Sequence, residues 1–131
     1  MSEPDELPVL DAAALKALCE PASVLAGCEH CRGLNCPGWE SVPGGYDTRQ
    51  LSQVGTLRKD PFVEPTLDEQ LPPGTTAWSA DAPIAIDYAP YNRSGVWICR
   101  HCHKPFLRYT EYGGYYSDER IRAVAPEVVV R

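Results

Sequence analysis

The sequence predicts an α+β protein in which a short N-terminal helix packs on a small antiparallel sheet. Three features predict this fold: one helix-forming run near the start, a C-terminal third of β-branched and aromatic stretches, and two widely separated Cys-x-x-Cys pairs. The chain has 131 residues, of which 44% are hydrophobic, which is the usual size of one globular domain. We therefore expect a single domain over residues 1 to 131.

The helix is predicted over DAAALKALCE, residues 11 to 20. Asp11 can cap its start, and Leu15, Leu18 and Cys19 share one face at helical spacing. The proline that follows ends or kinks the helix, and a second helical turn is predicted before the next glycine. We expect Cys19 to be a small buried hydrophobic residue, because free cysteine is among the most buried residue types.

The middle of the chain, residues 37 to 95, is punctuated by proline and glycine. Two strands are predicted there, around residues 50 to 58 and around residues 83 to 88, with loops between them. Large apolar side chains such as Trp39 and Phe62 are worth burying, so this stretch is not read as a pure linker.

The C-terminal part, about residues 95 to 124, predicts a three-stranded antiparallel meander. Its strands are GVWICR, PFLRYTEY and YYSDERIRAV, and the first turn is the CRHC segment. In the second strand Phe106 and Arg108 alternate with Leu107 and Tyr109, as expected of two sheet faces. Gly113-Gly114 is predicted to form a two-residue hairpin turn before the third strand.

The two Cys-x-x-Cys pairs predict a metal site. A tight turn that carries Cys-x-x-Cys offers two thiolates from one side, and two such turns complete the tetrahedral set of four that zinc prefers. Arg32, Arg100 and Lys104 lie where they could offset the negative charge of four thiolates. The predicted ligands are Cys28, Cys31, Cys99 and Cys102, and the predicted cofactor is a structural Zn²⁺.

Other uses of these residues stay open from the sequence. Cys36 could replace one thiolate, or His30, His101 or His103 could supply a nitrogen. Iron could occupy the same four sulfurs, as in a rubredoxin-like electron carrier. Thioredoxin-like redox pairs are disfavoured because neither Cys-x-x-Cys opens a helix after a buried strand, and disulfides are expected only if the chain is exported.

Catalytic patterns are missing from the sequence. There is no His-Glu-x-x-His, no deaminase pattern of His-x-Glu followed by Pro-Cys-x-x-Cys, no nucleophile elbow and no phosphate-binding loop. A catalytic zinc also needs an open coordination position and a nearby acid or base. We expect a metal that stabilises the fold, in a protein that is not an enzyme.

The charge balance bears on partners and location. The net charge is −6 with no cluster of lysine or arginine, which argues against nucleic acid and favours a basic protein partner. The first residues, MSEPDELPVL, lack the basic and apolar regions of a leader, and no apolar run approaches the length of a membrane span. We expect a cytoplasmic protein.

The predicted partner surface lies on the last two strands of the meander. Tyrosine commonly anchors protein interfaces, and tyrosines cluster here beside acidic residues that would suit a cationic partner. The predicted contact residues are Tyr109, Glu111, Tyr112, Tyr115, Tyr116, Asp118 and Glu119.

Residues 96 to 124, VWICRHCHKPFLRYTEYGGYYSDERIRAV, together with the upstream Cys-x-x-Cys, resemble one known class of proteins. They resemble the C-terminal part of small bacterial zinc-ribbon-like immunity proteins of polymorphic-toxin and contact-dependent growth inhibition systems. These share a W-x-C-x-x-C, an aromatic strand and a second strand. Most ribbons carry glycine soon after the second cysteine, where this chain has His103-Lys104.

The resemblance implies a non-catalytic inhibitor that binds one cognate toxin domain, such as a nuclease with a cationic cleft. A function of another class is a zinc-ribbon accessory subunit of a transcription or RNA-processing complex, which the acidic charge disfavours. Measurable affinity for nucleic acid at low salt would favour the accessory subunit, and iron content would favour the electron carrier.

Overall fold

The computed structural model describes residues 7 to 131 and has the predicted α+β architecture. Within that range there is one α-helix, α1, Ala12–Ala17, and short 3-10 turns cover Ala22–Ala26, Thr48–Gln50, Tyr91–Arg93 and Pro126–Val128. The strands are β1 (Glu40–Ser41), β2 (Leu51–Thr56), β3 (Ile84–Ala85), β4 (Gly95–Cys99), β5 (Pro105–Tyr112), β6 (Ser117–Ala123) and β7 (Val129–Val130). No helix within the described range is long and apolar enough to cross a membrane.

The helix begins where the sequence predicts. The Asp11 carboxylate accepts a hydrogen bond of 2.8 Å from the Ala14 N–H, which satisfies one of the free donors of the first turn. The helix ends at Ala17, earlier than predicted, and the chain then enters the turn Ala22–Ala26. Cys19 is buried in the core, as its position on the apolar face predicts.

The main sheet is antiparallel, with the strand order β1-β6-β5-β4-β2. The predicted meander forms its centre, and the strand predicted around residues 50 to 58 is β2, which pairs with β4. The hairpin turn lies one residue later than predicted: the Gly113 N–H donates to the Tyr116 carbonyl at 2.8 Å, so the two-residue turn is Gly114-Tyr115.

The strand predicted around residues 83 to 88 is much shorter than expected. Only β3 is formed, and it pairs in parallel with β7 rather than joining the main sheet. The chain turns away after β3, because the Tyr88 N–H donates to the Ala85 carbonyl at 2.9 Å.

The main sheet buries apolar side chains on both faces. Because side chains alternate along a strand, Leu107 and Tyr109 enter one cluster, while Phe106, the residue before Leu107 on β5, enters the other. The first cluster holds α1, Trp39 and the small sheet of β3 and β7. The second cluster contains Cys31, Leu34, Cys36, Leu51, Cys99, Phe106 and Ile121, so the predicted metal ligands belong to this face.

A fully buried arginine ties two loops to the first face. Arg122 on β6 donates to the carbonyl oxygens of Pro37, Ala80 and Ala82 at 3.2, 3.0 and 2.9 Å, and to the hydroxyl of Tyr91. All four acceptors are uncharged. The guanidinium therefore connects β6 to the loops before β1 and before β3.

Candidate metal centre

The first pair of cysteines lies in a tight turn, residues 28 to 31, called here the first knuckle. The Cys31 N–H donates to the Cys28 carbonyl at 3.2 Å, and the Cys28 N–H points to the Cys31 Sγ at 3.3 Å. Gly27, with φ of +76°, precedes the knuckle in a conformation that favours glycine. A Cβ at this position would lie only 3.1 Å from the Cys31 Sγ, so Gly27 also leaves room for the sulfur.

The second knuckle, residues 99 to 102, connects β4 to β5. The Cys99 N–H donates to the Lys104 carbonyl at 3.0 Å, and the His101 N–H points to the Cys99 Sγ at 3.4 Å. His103, at the place where most ribbons carry glycine, has φ of +68°. The turn thus keeps the left-handed conformation with a histidine, one of the side chains that are enriched there.

The two knuckles bring the four predicted ligands together. All four Sγ atoms lie within 4.8 Å of one another. The Sγ atoms of Cys28 and Cys99 lie 3.7 Å apart, and so do those of Cys31 and Cys102. A tetrahedron of sulfurs at about 2.3 Å from a central zinc has edges of about 3.8 Å, whereas a disulfide needs about 2.05 Å. The four free thiols are therefore arranged to hold one metal ion.

The pKa values of the clustered thiols also indicate a bound cation. Burial raises the pKa of the Cys102 thiol to about 12, and the neighbouring sulfurs act in the same direction. Burial likewise raises the pKa of Cys31. At Cys28 burial acts to raise the pKa, but hydrogen bonds, the first from the His30 backbone, bring it below its ordinary value. Four adjacent thiolates are thus unfavourable unless a bound cation compensates their charge.

The other donors that the sequence left open lie outside this cluster. Cys36 is buried, and its thiol donates to the Leu34 carbonyl at 3.6 Å. The His30 and His101 rings stack on each other with centroids 3.6 Å apart, and the His101 Nε2 lies 2.7 Å from the Gln50 Oε1. Within residues 7 to 131, the four knuckle cysteines are the group of metal-binding side chains whose donor atoms converge.

The three nearby cations lie at different places. Lys104 and Arg32 line, together with Cys28 and Cys31, a cavity of about 350 Å³ beside the first knuckle. Arg100 is exposed and its Nε donates to the Arg49 carbonyl at 2.9 Å, which connects the second knuckle to the segment before β2. Two of the three cations are therefore placed to offset the thiolate charge, and the third has a structural contact.

Tyr46 is a contact of this site that the sequence did not indicate. Its hydroxyl donates to the His30 carbonyl at 3.0 Å and so supports the first knuckle from behind. Burial raises the pKa of Tyr46 to about 12, with the cysteines as the next cause. No local pattern links residues 30 and 46, so only the folded chain reveals this contact.

The tyrosines of the predicted partner surface divide into two groups. Tyr112, Tyr115 and Tyr116, called here the tyrosine tip, are 77%, 105% and 65% exposed at the end of the β5–β6 hairpin. Tyr109 is buried instead and packs edge-on against Trp39 with centroids 4.7 Å apart. Tyr109 lies on the same face of β5 as Leu107, and both belong to the first apolar cluster, so Tyr109 is not part of the exposed surface.

The three predicted acidic residues each have an internal arginine partner. The Arg120 guanidinium lies 3.4 Å from a carboxylate oxygen of Glu111 and 3.1 Å from one of Asp118. The Arg108 guanidinium lies 3.4 Å from a carboxylate oxygen of Glu119. Glu119 also accepts a hydrogen bond from the Thr110 hydroxyl. The acidic side chains therefore stand beside the tyrosine tip, already held in place by arginines of the same sheet.

Comparison of the chain with protein-family models, with curated proteins and with solved structures finds no match.

Proposed function

We propose that the four-cysteine cluster binds zinc as a structural ion. Four protein thiolates fill a tetrahedral zinc shell and leave no open position, which is typical of structural rather than catalytic zinc. The ion would connect the end of the helical segment to the β4–β5 turn and add folding free energy to a chain rich in proline. Metal analysis of gently purified protein tests this, with one zinc per chain as the expected result and iron as the outcome that overturns it.

We propose further that the chain is a non-catalytic immunity protein, which binds a basic toxin domain of the nuclease class in the cytoplasm. The observation that carries this proposal is the tyrosine tip, since three exposed tyrosines stand together at the end of one hairpin and tyrosine is a residue type that anchors protein interfaces. The net charge of −6 would speed encounter with a cationic partner. Free thiols are also typical of the reducing cytoplasm.

The hairpin is well suited to insertion into a cleft. Its base continues into the centre of a five-stranded sheet, where β5 pairs on both sides. Tyrosine side chains supply large contact areas at low cost in conformational entropy, so a supported hairpin binds without much ordering. Glu111, Asp118 and Glu119 stand at the rim and could exchange their internal arginine partners for cations of the toxin.

The first experiment is native mass spectrometry of the protein isolated from its own cells. One zinc and one basic chain at one-to-one would support the proposal and identify the toxin. Measurable affinity for RNA or DNA at low salt, with no basic protein partner, would contradict the inhibitor and favour the accessory subunit of a nucleic-acid-processing complex.

Once the partner is known, the tyrosine tip can be tested directly. The double variant Tyr115→Ala with Tyr116→Ala should weaken binding by about 30-fold or more, as expected of interface anchors. Phe62→Ala is the matched control, because Phe62 is 95% exposed but lies on a loop before β3. Equal affinities of the two variants, measured by titration calorimetry, would contradict the assignment of this surface.

A further inference from the structure

Two of the sulfur–sulfur contacts in the cluster run across the two knuckles, which matters for oxidation. Each close pair, Cys28 with Cys99 and Cys31 with Cys102, joins a residue of the first knuckle to one of the second. Each pair also combines one partly exposed cysteine, Cys28 or Cys102, with one fully buried cysteine. A small oxidant can therefore reach one sulfur of each pair, and the other stands 3.7 Å behind it.

We propose that the cluster is a site of reversible oxidation, in which a peroxide converts it to two cross-knuckle disulfides, Cys28–Cys99 and Cys31–Cys102, and releases the metal. This inference rests on the proposed zinc for the released ion, and the bound cation also keeps the four sulfurs as thiolates. The disulfides themselves follow from the positions of this chain's own sulfurs.

The chemistry balances in two steps for each pair. The exposed thiolate attacks one peroxide oxygen, the O–O bond breaks, and with one proton a sulfenic acid and one water form. The buried thiolate then attacks the sulfenic sulfur, the S–S bond forms, and hydroxide leaves with a second proton as water. Two peroxides are thus reduced to four waters while four thiolates lose four electrons in all, and the Zn²⁺ leaves without changing its oxidation state.

Cross-knuckle pairing has a structural consequence that pairing within a knuckle would not have. A disulfide between Cys28 and Cys99 closes a long loop of the chain, and the disulfide between Cys31 and Cys102 closes a second loop that overlaps most of the first. The contact between the two knuckles then persists without metal. Disulfides within Cys-x-x-Cys would instead leave the first knuckle unconnected to the β4–β5 turn. The oxidised protein is therefore expected to keep its fold and its tyrosine tip.

The sequence allows an unambiguous test of the connectivity. Glu29 separates Cys28 from Cys31, and Arg100 separates Cys99 from Cys102, so cleavage after glutamate and after arginine places the four cysteines on four peptides. The protein carries Cys19→Ala and Cys36→Ala, which remove the two buried thiols outside the cluster. It is loaded with zinc, treated with hydrogen peroxide and mapped without reduction, while a chromophoric chelator follows zinc release.

The expected result is two peroxides consumed for each zinc released, the two cross-knuckle disulfides, and full recovery of zinc binding after treatment with a thiol reductant. In a further variant with Cys102→Ser, the single disulfide Cys28–Cys99 should form and Cys31 should stay free. Disulfides within a knuckle, or sulfinic and sulfonic acids with unfolding, would overturn the inference while leaving the proposed zinc intact.

The same oxidation of the metal-free, reduced protein separates the two proposals. If the cross-knuckle disulfides form there but the purified protein holds no zinc, the site of oxidation stands and the zinc assignment fails. If zinc is bound and peroxide at millimolar concentration neither releases it nor forms a disulfide, the zinc stands and this inference fails.

Discussion

Replacing one knuckle cysteine by serine should unfold the protein far more than the same replacement at a buried cysteine outside the cluster. Cys99→Ser and Cys36→Ser form a matched pair, because both residues are buried in the same apolar cluster on the same sheet face. Both substitutions put a hydroxyl in place of a buried thiol. The difference between the two variants therefore isolates the contribution of the metal.

The magnitudes can be worked out term by term. Burying a hydroxyl at either position costs about 1 to 2 kcal/mol. At free zinc about a thousandfold above the dissociation constant, binding stabilises the native state by about 4 kcal/mol, and Cys99→Ser forfeits most of this. For a chain of this length 1 kcal/mol corresponds to about 4 °C in Tm. Cys99→Ser should therefore melt about 15 °C below Cys36→Ser.

The assay is thermal unfolding followed by circular dichroism in zinc-buffered solution, repeated with excess chelator. The chelator should lower the Tm of the parent and of Cys36→Ser by similar amounts, and should leave Cys99→Ser almost unchanged. Equal Tm values for the two variants, or an equal response of all three proteins to the chelator, would refute a metal that stabilises the fold.

Three further outcomes are expected. Gly27→Ala should lower the free energy of unfolding by about 1 to 2 kcal/mol and weaken metal binding, because its φ is +76° and the new Cβ would crowd the Cys31 Sγ. Gly44→Ala is the control, because Gly44 has open space around it. It should be neutral in the same denaturant and zinc titrations. Arg122→Met should lower the free energy of unfolding by about 3 kcal/mol or more, because three carbonyls and a hydroxyl lose their hydrogen-bond donor in the core. A loss below about 1 kcal/mol, measured by urea unfolding, would contradict this. Burial raises the pKa of Cys36 from 9.0 to about 11, so the folded state keeps the thiol proton to a higher pH than the unfolded chain does. The stability that this proton contributes is full below pH 9 and is lost as the pH rises to 11. Cys36→Ala should therefore flatten the fall of Tm between pH 9 and pH 11.

Features that depend on a few neighbouring residues could be predicted from the sequence. Asp11 caps α1 because its carboxylate reaches a donor three residues away. The meander β4–β5–β6 follows from alternating apolar residues and short turns. The pairing of two Cys-x-x-Cys turns into one site was also predictable, since four thiols at this spacing have few other uses in a metal-binding fold.

Features that depend on distant contacts could not be predicted in this way. Tyr109 and Tyr112 look alike in the sequence, but one packs against Trp39 and the other is exposed, because only the sheet position decides which side of β5 is covered. The two-residue strands β1, β3 and β7 carry no periodic signal of their own. Arg122 would be read as a surface residue until the two loops that surround it are in place.

The local sequence therefore predicted a metal site made of cysteines. Which residues are its ligands, and which residues surround them, depended on the fold. Spacing alone could not choose among Cys36, the histidines and the four knuckle cysteines, because all are close in the sequence and all can bind metal. The choice follows from β4 and the first knuckle meeting on one face of the sheet. That meeting sets the four sulfurs within 4.8 Å of one another and turns Cys36 and His101 to other partners.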